Sequence, residues 1–471
     1  MPKDTMSPIR KALQINLDDQ VYGSFAEIGA GQEVARHFFQ AGRASHTVAK
    51  SMSAYDMKFS DEIYGREDSG RYVVESRLLK MLEKEFLLLK ERLLEKRGDE
   101  TCFFSFASTV TTSSNTKGAR CHGWIGVCYQ LRPGGPTNKI ILHLNMKDKF
   151  RLQQQEALGV LGVNLIHAAF YRYEKKVDLI NSLTDNLSPD RVEIDMIRSE
   201  GVDLKHIDNR LLSLELVRQG FTDAVLFAPN GKVVQAAEAL HGQAVLLQRG
   251  TFRPVTKTNM LLIDHSLEEI KNDNLEKKPM AILELTMHLL NTSTDPSATV
   301  TIDQKDFLDR VETLTLLGHH VLISNFFYFY QLKEYLRRCT KEEVYMTIGA
   351  PLLDKLFNNE YYKKLPHGIL GAFGNLFDSK TKLLVFPYKD NDICLTSQAF
   401  SPEPSLYHLY KHLFENKFIK DISNCDNIDT TVHSSNIRQM LEENDPNWED
   451  LVPDIARDHI KKKKLFGLGE K

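Results

Sequence analysis

The chain has 471 residues, of which 42% are hydrophobic and 26% are charged, a composition typical of a globular protein with length enough for two or three hydrophobic cores. Its 60 basic and 63 acidic residues almost cancel, so the sequence lacks the basic field that drives nonspecific nucleic-acid binding. No stretch reaches about 18 consecutive apolar residues, and the N-terminus has no apolar core of signal-peptide length. We therefore expect a cytoplasmic protein with neither nucleic acid nor a membrane among its partners.

Residues 1–188 predict an α+β domain whose role the pattern does not identify. Residues 1–70 are polar and irregular, because Gly, Ser and Asp interrupt the apolar periodicity, whereas Val74 to Leu94 carry leucines at helical spacing. Three strand candidates follow, separated by polar or turn-forming runs: TCFFSFASTV, HGWIGVCYQL and KIILHLNM. This succession predicts an antiparallel meander packed against a long amphipathic helix.

A second long helix is predicted from Gln153 to Tyr171. It carries Gly159 and Gly162 on neighbouring turns, where small residues allow another backbone to approach closely at some cost in helix propensity. These glycines therefore indicate a packing contact with another element.

Residues 189–471 alternate between apolar strand candidates and helical spans, which predicts an α/β domain. The strand candidates are VEIDMI, AVLFA, AVLLQ, MAILELT, HVLISNF, EVYMTI and KLLVFPY. Continuous apolar runs joined by helices argue for a mostly parallel sheet with helices on both faces, a Rossmann-like arrangement. A closed barrel is the alternative, because the same strands could also close, and the pattern does not determine strand order.

A glycine turn and a proline lie between two apolar stretches in residues 248–263, QRGTFRPVTKTNMLLI. This segment resembles the GTFDPVHxGH signature of nicotinate- and nicotinamide-mononucleotide adenylyltransferases, within the nucleotidylyltransferase superfamily. The matching positions are Gly250, Thr251, Phe252, Pro254 and Val255. Arg253 stands where an acidic residue is usual, and Thr256 and Asn259 stand where the signature has histidines. The resemblance is therefore to a degenerate member of the family.

A second segment near the C-terminus, HSSNIRQMLEENDPNWEDLVPDIARDHIKKKKLFG, is similar to the closing segment of the same family. In the family this segment reads SSTxIR, followed by LVP and a YIK-like helix. The shared positions are Ser434, Ser435, Ile437, Arg438, Leu451, Val452, Pro453 and Ile460, with Asn436 in place of the threonine. The two motifs span roughly the last half of the chain, whereas the N-terminal half resembles only an uncharacterised group of long bacterial chains.

The resemblance implies a nucleotide-binding domain that transfers adenylate from ATP, with Mg²⁺ on the polyphosphate, to nicotinate or nicotinamide mononucleotide. A phosphate at the first motif would meet backbone N–H groups and the positive end of a helix dipole. The residues that the resemblance assigns to nucleotide binding are Gly250, Thr251, Arg253, Thr256, Ser434, Ser435 and Arg438. No catalytic residue is assigned, because both signature histidines are missing, and Lys257 or His265 could supply the missing donor.

Loss of two phosphate donors removes several kcal/mol of transition-state stabilisation, at about 3 kcal/mol for each such contact. The sequence therefore favours a slow, altered or absent transferase, and the alternative is a catalytically inert binding or assembly protein that retains the fold. Each motif also has a purely structural explanation. Ser435 is a natural N-cap, and Gly250 to Pro254 could form an ordinary strand-to-helix turn with a solvated arginine.

A rival glycine motif lies at residues 25–36, FAEIGAGQEVAR. Gly29 and Gly31 follow a short apolar run there, and they resemble the first loop of methyltransferases or dinucleotide-binding domains. The specificity of this motif is low, because Val34 replaces the third glycine and no acidic residue ends a clear second strand. Nucleotide or S-adenosylmethionine binding and a local turn both remain as explanations.

No segment has the spacing of a usual metal site. Cys121, His122 and Cys128 fit no common zinc pattern and alternate along a predicted strand. His408 and His412 lie on one helix face, but the glutamate of HExxH is absent between them. The six cysteines are too dispersed for a disulfide framework, and a reducing compartment suits them. We therefore predict no metal ligand.

Three carboxylates could bind magnesium or act as acid and base, namely Glu193 and Asp195 on one side of a predicted strand and Glu284 in an apolar run. We expect instead that they lie near strand ends and pair with arginines. His319 and His320 precede the strand VLISNF, whose end could face a ligand crevice.

The aromatic series at residues 326–330, FFYFY, is too dense for exposure to solvent. It predicts a core or an assembly surface rather than a base-stacking platform. We therefore expect self-association into a homo-oligomer.

Overall fold

The computed structural model describes residues 5–112, 121–273, 275, 277–290, 301–390, 393–422 and 432–469. The protein is mixed α/β and divides into two compact units, Met1–Asp223 and Ala224–Lys471. The division falls after residue 223 rather than after residue 188, because the strand at 192–200 pairs with a strand of the first unit. Among the described helices, none has the length and apolar character needed to cross a lipid bilayer.

The first unit is a six-stranded sheet with its helices. Its strands are β1 Val21–Ile28, β2 Val48–Met52, β3 Cys102–Val110, β4 His122–Gln130, β5 Thr137–Met146 and β6 Val192–Glu200. Its α-helices are α1 Pro8–Asn16, α2 Glu33–Ala41, α3 Met57–Tyr64, α4 Glu75–Arg97, α5 Arg151–Tyr171, α6 Lys176–Leu183 and α7 Asn209–Arg218.

The strand order in this sheet is β2-β1-β3-β4-β5-β6. Strands β3, β4 and β5 pair antiparallel, which confirms the predicted meander, and β6 extends it. The predicted irregularity of residues 1–70 is wrong, since this segment contains α1, β1, α2, β2 and α3. The apolar periodicity of β1 is not visible in the sequence because buried polar residues interrupt it. Ser24 and Glu27 on this strand are each 1% exposed.

Helices α2 and α5 pack closely at the two glycines of α5. A Cβ atom added to Gly162 would lie 2.3 Å from the Val34 side chain, and one added to Gly159 would lie 3.2 Å from the Glu33 carbonyl oxygen. Neither position tolerates a larger side chain without a shift of the helices. The predicted packing role of these glycines is confirmed.

The second unit has an eight-stranded sheet and a separate hairpin. Its strands are β7 Ala224–Phe227, β8 Val233–Val234, β9 Val245–Arg249, β10 Met280–Thr286, β11 His320–Ser324, β12 Val344–Gly349, β13 Thr381–Phe386, β14 Tyr388–Asp390, β15 Ile393–Leu395 and β16 Ile419–Asp421. Its α-helices are α8 Ala236–Ala239, α9 Lys257–Ile270, α10 Met287–Leu290, α11 Gln304–Leu316, α12 Phe329–Cys339, α13 Leu352–Leu356, α14 Gly368–Leu376, α15 Tyr407–Glu415, α16 Ser434–Glu443 and α17 Asp454–Lys463.

The strand order in the second unit is β16-β13-β12-β9-β10-β11-β7-β8. Strands β9 to β13 and β16 run parallel, whereas β7 pairs antiparallel with β11 and β8 antiparallel with β7. Through its described strands the sheet is open, with β16 and β8 at its edges, so it is not a closed barrel. The chain places β10 and β11 on one side of β9 and then crosses to place β12 and β13 on the other.

Two hydrophobic clusters lie among the described residues of the second unit. The larger one packs against one face of the parallel strands and includes Val245, Ile282 and Met346. The smaller one joins α16 and α17 around the buried Trp448. It includes Ile437, Val452 and Ile460, so the apolar positions shared with the second motif have a packing role here.

Candidate functional site

The two sequence motifs meet at the carboxyl end of β9. The loop that follows β9 and the start of α16 line one polar cavity of about 460 Å³, to which the end of β12 also contributes. The Ser434 hydroxyl donates a hydrogen bond to the Pro254 carbonyl oxygen at 2.9 Å. In open parallel sheets, ligands bind beyond the carboxyl ends of strands where the strand order reverses, and β9 with β12 is such a point.

Five of the seven predicted binding residues line this cavity. They are Gly250, Thr251, Thr256, Ser434 and Ser435. Arg253 and Arg438, the two predicted cations, are not among its described lining residues. The structure thus brings together the glycine and the hydroxyl-bearing residues that were predicted to bind the nucleotide, but not the two arginines.

Thr256 and Asn259, at the positions of the two signature histidines, hydrogen-bond to each other. The Asn259 N–H donates to Thr256 Oγ1 at 3.1 Å, and the Thr256 N–H donates to Asn259 Oδ1 at 2.9 Å. This reciprocal arrangement is a capping box that satisfies the first amides of α9. The Thr256 hydroxyl also donates to Asn259 Oδ1 at 3.1 Å, so its proton already has an acceptor within the protein.

The Gly250 amide does not face the cavity as predicted. Its N–H donates to the Glu284 carbonyl oxygen at 3.1 Å, which extends the pairing of β9 with β10. A Cβ atom at this position would lie 2.8 Å from the Phe252 ring. Gly250 is therefore required by the packing of Phe252 against the turn, not by close approach of a phosphate to its amide.

Phe252 adopts a left-handed backbone conformation, with φ of 44°. Such a conformation costs about 1–2 kcal/mol for a residue with a Cβ atom. The Phe252 side chain is 1% exposed, and full burial of a phenylalanine contributes about 1.5–3 kcal/mol. Burial of the ring thus offsets the backbone strain and holds the loop in its bend.

Arg253 is paired rather than solvated. Its Nε lies 2.5 Å from Asp306 Oδ1, and Arg310 contacts the other oxygen of the same carboxylate. Arg310, which is 3% exposed, also donates to the Thr251 carbonyl oxygen at 3.1 Å. Burial lowers the pKa of Arg310, and the nearby positive charges of Arg253 and Arg438 lower it further. Two arginines, Arg253 and Arg310, therefore share one carboxylate beside the loop.

The two donors proposed to replace the histidines are not brought to the cavity. Neither Lys257 nor His265 is among its described lining residues. The His265 ring lies on α9 with its centroid 6.3 Å from that of Phe386. His433, which the sequence analysis did not single out, does line the cavity. Its position just before Ser434 in the second motif was the signal that could have identified it.

A second cavity of about 320 Å³ opens beside the first and was not predicted. Its aromatic lining residues are Phe326, Phe327, Tyr328, Phe329, Tyr361 and Tyr362. The aromatic series after β11 therefore lines a cavity as well as packing against the core. His288 packs edge-on against Phe327 with centroids 5.4 Å apart, and burial, followed by the charge of Arg249, lowers the pKa of His288. A neutral imidazole thus lies among the rings.

The wall between the strand ends and this second cavity is fixed by a buried ion pair. Glu284 is fully buried, and its oxygens lie 2.8 Å and 3.0 Å from Arg249 Nε and Nη2. Ser324 donates to the same carboxylate, and Arg249 donates to the Phe326 and Phe327 carbonyl oxygens. The expectation that Glu284 pairs with an arginine is confirmed, and Ser324 faces this pair.

Glu193 and Asp195 hydrogen-bond to neutral polar groups and a histidine of this sheet. The Asn145 amide and the Thr222 hydroxyl donate to Glu193 at 3.4 Å and 3.3 Å. Asp195 Oδ1 lies 2.5 Å from His143 Nδ1, and His143 Nε2 lies 3.0 Å from His122 Nδ1. Asn145 donates to Asp195 Oδ2 at 3.0 Å. The register shifts beside His143, so Asp195 is an extra residue on β6. Such a bulge redirects a side chain, here toward the imidazole of the neighbouring strand.

Other candidate ligands do not converge. Among the described residues, no group of three His, Cys, Asp or Glu side chains could hold a metal ion. Cys128 lies near the opposite end of β4 from His122, and His408 and His412 are exposed on α15. Cys394 is disulfide-bonded, whereas Cys121 and Cys128 are thiols.

His319 and His320 lie at the amino end of β11, away from the cavities at the carboxyl ends. Burial lowers the pKa of both. The predicted crevice therefore lies at the carboxyl end of β11, and His319 and His320 do not face it.

The rival glycine motif has a structural explanation. Oxygens of Glu27 accept the amides of Val34 and Ala35 at 3.1 Å and 3.0 Å, and the Tyr55 hydroxyl accepts the amide of Gly31 at 2.7 Å. Burial raises the pKa of Glu27 to about 7. The first amides of α2 are thus occupied by this chain's own oxygens, and a Cβ atom on Gly29 would collide with the Val110 carbonyl oxygen at 1.8 Å.

No protein-family model matches the chain, and no curated protein is significantly similar to it. Among solved structures, the competence/damage inducible protein CihA from Agrobacterium tumefaciens is 18% identical, covers 36% of this chain and 98% of its own, and has a TM-score of 0.26. A competence-damaged protein (CinA) superfamily protein from Enterobacter cloacae is 10% identical, covers 36% and 95%, and has a TM-score of 0.28. Likeness at this level assigns neither a family nor a function to the chain.

Proposed function

We propose that the second unit is a nucleotide-binding domain resembling the nicotinate- and nicotinamide-mononucleotide adenylyltransferases, with its parallel strands in a Rossmann-like arrangement. The observation that carries this proposal is the shared polar cavity formed by the loop after β9 and the start of α16. ATP is the proposed ligand of that cavity. A cytoplasmic location, a phosphate-bearing small molecule as partner and a homo-oligomeric state belong to the same proposal and follow from the sequence.

The chemistry of the polar cavity supports phosphate binding. Helix α16 begins without a side-chain cap, so its first amides and dipole offer partial positive charge beside Ser434 and Ser435. No carboxylate is among the described lining residues. Mg²⁺ would accordingly be held by phosphate oxygens and water, as is common for this ion.

The aromatic cavity supports a planar ring as the second ligand. Arg249, which lines it, is followed directly by Gly250, which lines the polar cavity. A mononucleotide with its base among the rings would therefore extend its phosphate toward the bound ATP. Flat aromatic walls with a few polar groups are typical of small-molecule sites. This arrangement favours nicotinate or nicotinamide mononucleotide as the acceptor.

In the transfer, an oxygen of the mononucleotide phosphate forms a bond to the α-phosphorus of ATP while the bond to the β-phosphate oxygen breaks. Pyrophosphate leaves with the electron pair, so no protein nucleophile is required. The protein contributes positioning and neutralisation of charge. With a capping box where the signature has histidines, we expect a slow transferase.

The second candidate function is a catalytically inert binding or assembly protein. The observation that favours it is the capping box of Thr256 and Asn259, which uses the Thr256 hydroxyl for helix stability instead of phosphate contact. An inert binding protein would hold the same ligand without turnover, and an assembly protein would not need it.

Thermal unfolding of the full chain with ATP, NAD and the mononucleotides, each with magnesium, tests whether the protein binds a nucleotide. A ligand at about 100 times its dissociation constant stabilises by about 2.7 kcal/mol. Turnover of radiolabelled ATP to pyrophosphate and dinucleotide then separates the two candidates. A stabilising shift without turnover favours an inert binding protein. No shift at millimolar ligand rejects the transferase and favours the inert assembly protein.

A further inference from the structure

We infer that His433 is the imidazole donor to the phosphates of the nucleotide, in place of the histidines that positions 256 and 259 lack. This role rests on the proposed function, because it assigns one more residue to the same polar cavity. Nothing in the two sequence motifs assigns this residue.

The composition of the cavity singles out His433. Its lining residues from α9 and from the loops after β9 and β12 carry no ionisable side chain among the described residues, and Tyr388 at the start of β14 also lines it. Tyr388 and His433 are the titratable groups of this lining. Arg253 and Arg438 are not among the described lining residues, so His433 is the one residue of that lining that can carry a positive charge.

The position of His433 is fixed by its neighbours. Its carbonyl oxygen accepts the amides of Asn436 and Ile437 at 3.0 Å and 3.3 Å, which begins α16. The hydrogen bond from Ser434 to Pro254 holds this helix start against the loop. The His433 side chain makes no capping hydrogen bond. The imidazole is therefore not needed to begin the helix, while its backbone is held beside the loop.

The chemistry requires only a donor. In its protonated form the imidazole presents two N–H groups, and it can donate one to a phosphate oxygen of ATP. As the bond between the α-phosphorus and the β-phosphate oxygen breaks, that donation offsets the negative charge gathering on the departing pyrophosphate. No proton needs to be transferred for atoms and charge to balance. Contact with the reacting phosphates makes His433 a catalytic residue in this scheme.

Binding of inorganic tripolyphosphate to the full chain, measured by calorimetry, tests this role. We expect His433→Gln to weaken binding about tenfold, the value of one hydrogen bond to a charged phosphate.

Two further variants make the test specific. His433→Lys should bind nearly as tightly as the wild type, since lysine keeps a positively charged donor at this position. His408→Gln, which removes an exposed histidine elsewhere in the same unit, should match the wild type. Equal binding by wild type and His433→Gln would overturn the role of His433 and leave the nucleotide site standing. Absence of binding of both tripolyphosphate and magnesium ATP by the wild type would overturn the proposed function and this role with it.

Discussion

Ser434 donates a hydrogen bond to the Pro254 carbonyl oxygen across 180 positions of sequence. The bond joins the start of α16 to the turn after β9, so the two segments that resemble adenylyltransferase motifs form opposite walls of one cavity. Neither segment forms that cavity alone. Predictions about the site therefore concern this junction and the residues that hold its two sides.

Ser434→Ala should lower both stability and anion affinity. Loss of one hydrogen bond costs about 1 kcal/mol of unfolding free energy, and the freed helix start should weaken ATP binding severalfold. Ser405→Ala is the matched control, because Ser405 donates a hydrogen bond of 2.8 Å to Glu403 at an exposed position. Denaturant unfolding and calorimetry measure the two effects. Unchanged ATP affinity in Ser434→Ala would show that the junction does not shape the site.

Asp306→Asn should loosen the loop after β9. It leaves the buried Arg310 and the partly buried Arg253 without their shared carboxylate, and breaking such a pair costs about 3 kcal/mol. Amide hydrogen exchange at residues 251–255 should accelerate, because Arg310 holds the Thr251 carbonyl oxygen. Asp378→Asn, which removes a partner of Arg337 before β13, should destabilise without that local acceleration. Equal exchange in the two variants would contradict the account of Arg310.

Restoring both histidines, with Thr256→His and Asn259→His together, should raise transfer of radiolabelled adenylate at least tenfold over the wild type. Each regained imidazole donor contributes up to about 3 kcal/mol of transition-state stabilisation. Loss of the cap should cost about 1 kcal/mol of stability. The double variant with alanine at both positions should show the same loss of stability without the gain. If the two double variants are equally inactive, the inert alternative is favoured.

Glu27 should make the first unit less stable as pH rises. Its pKa is raised by burial from 4.5 to about 7, so the folded state binds more protons than the unfolded state between these values. The contribution is fully present below about pH 4.5 and is lost as pH rises through about 7, by on the order of 3 kcal/mol.

Unfolding free energies measured from about pH 4 to pH 8 should therefore decline more steeply for the wild type than for Glu27→Gln. Glu83→Gln, at an exposed position of α4, is the control and should follow the wild type. Parallel profiles for the wild type and Glu27→Gln would rule out this account of Glu27.

Local signals in the sequence were sufficient for much of the fold. The meander from β3 to β5 and the helices α4 and α5 follow from apolar periodicity, as do the parallel strands of the second unit. The first 70 residues were missed, because β1 buries polar side chains such as Glu27, whose partners lie on α2. The two compact units divide after residue 223, whereas the sequence pattern suggested residue 188, because β6 pairs with β5 across a long connection.

At the site, the backbone and hydroxyl contributions were predictable because they belong to motifs. The roles of individual groups were not, because each depends on a contact distant in sequence. The Gly250 amide pairs with the Glu284 carbonyl oxygen, and Arg253 pairs with Asp306. The position of His433 in the cavity depends on the packing of α16 against the loop after β9, which the sequence alone does not show. The aromatic cavity likewise requires Arg249 at the end of β9 and segments at or after the ends of β10, β11 and β12.

The most direct test of the nucleotide site is calorimetric titration of magnesium ATP into the wild type and two charge variants of the second unit. Ser435→Asp places a negative charge in the polar cavity, and Ser401→Asp makes the same change at an exposed position outside it. We predict a dissociation constant below about 1 mM for the wild type and Ser401→Asp, within the usual range for enzyme substrates, and at least tenfold weaker binding for Ser435→Asp. Equal affinity in all three proteins, or no binding to the wild type, would contradict the account.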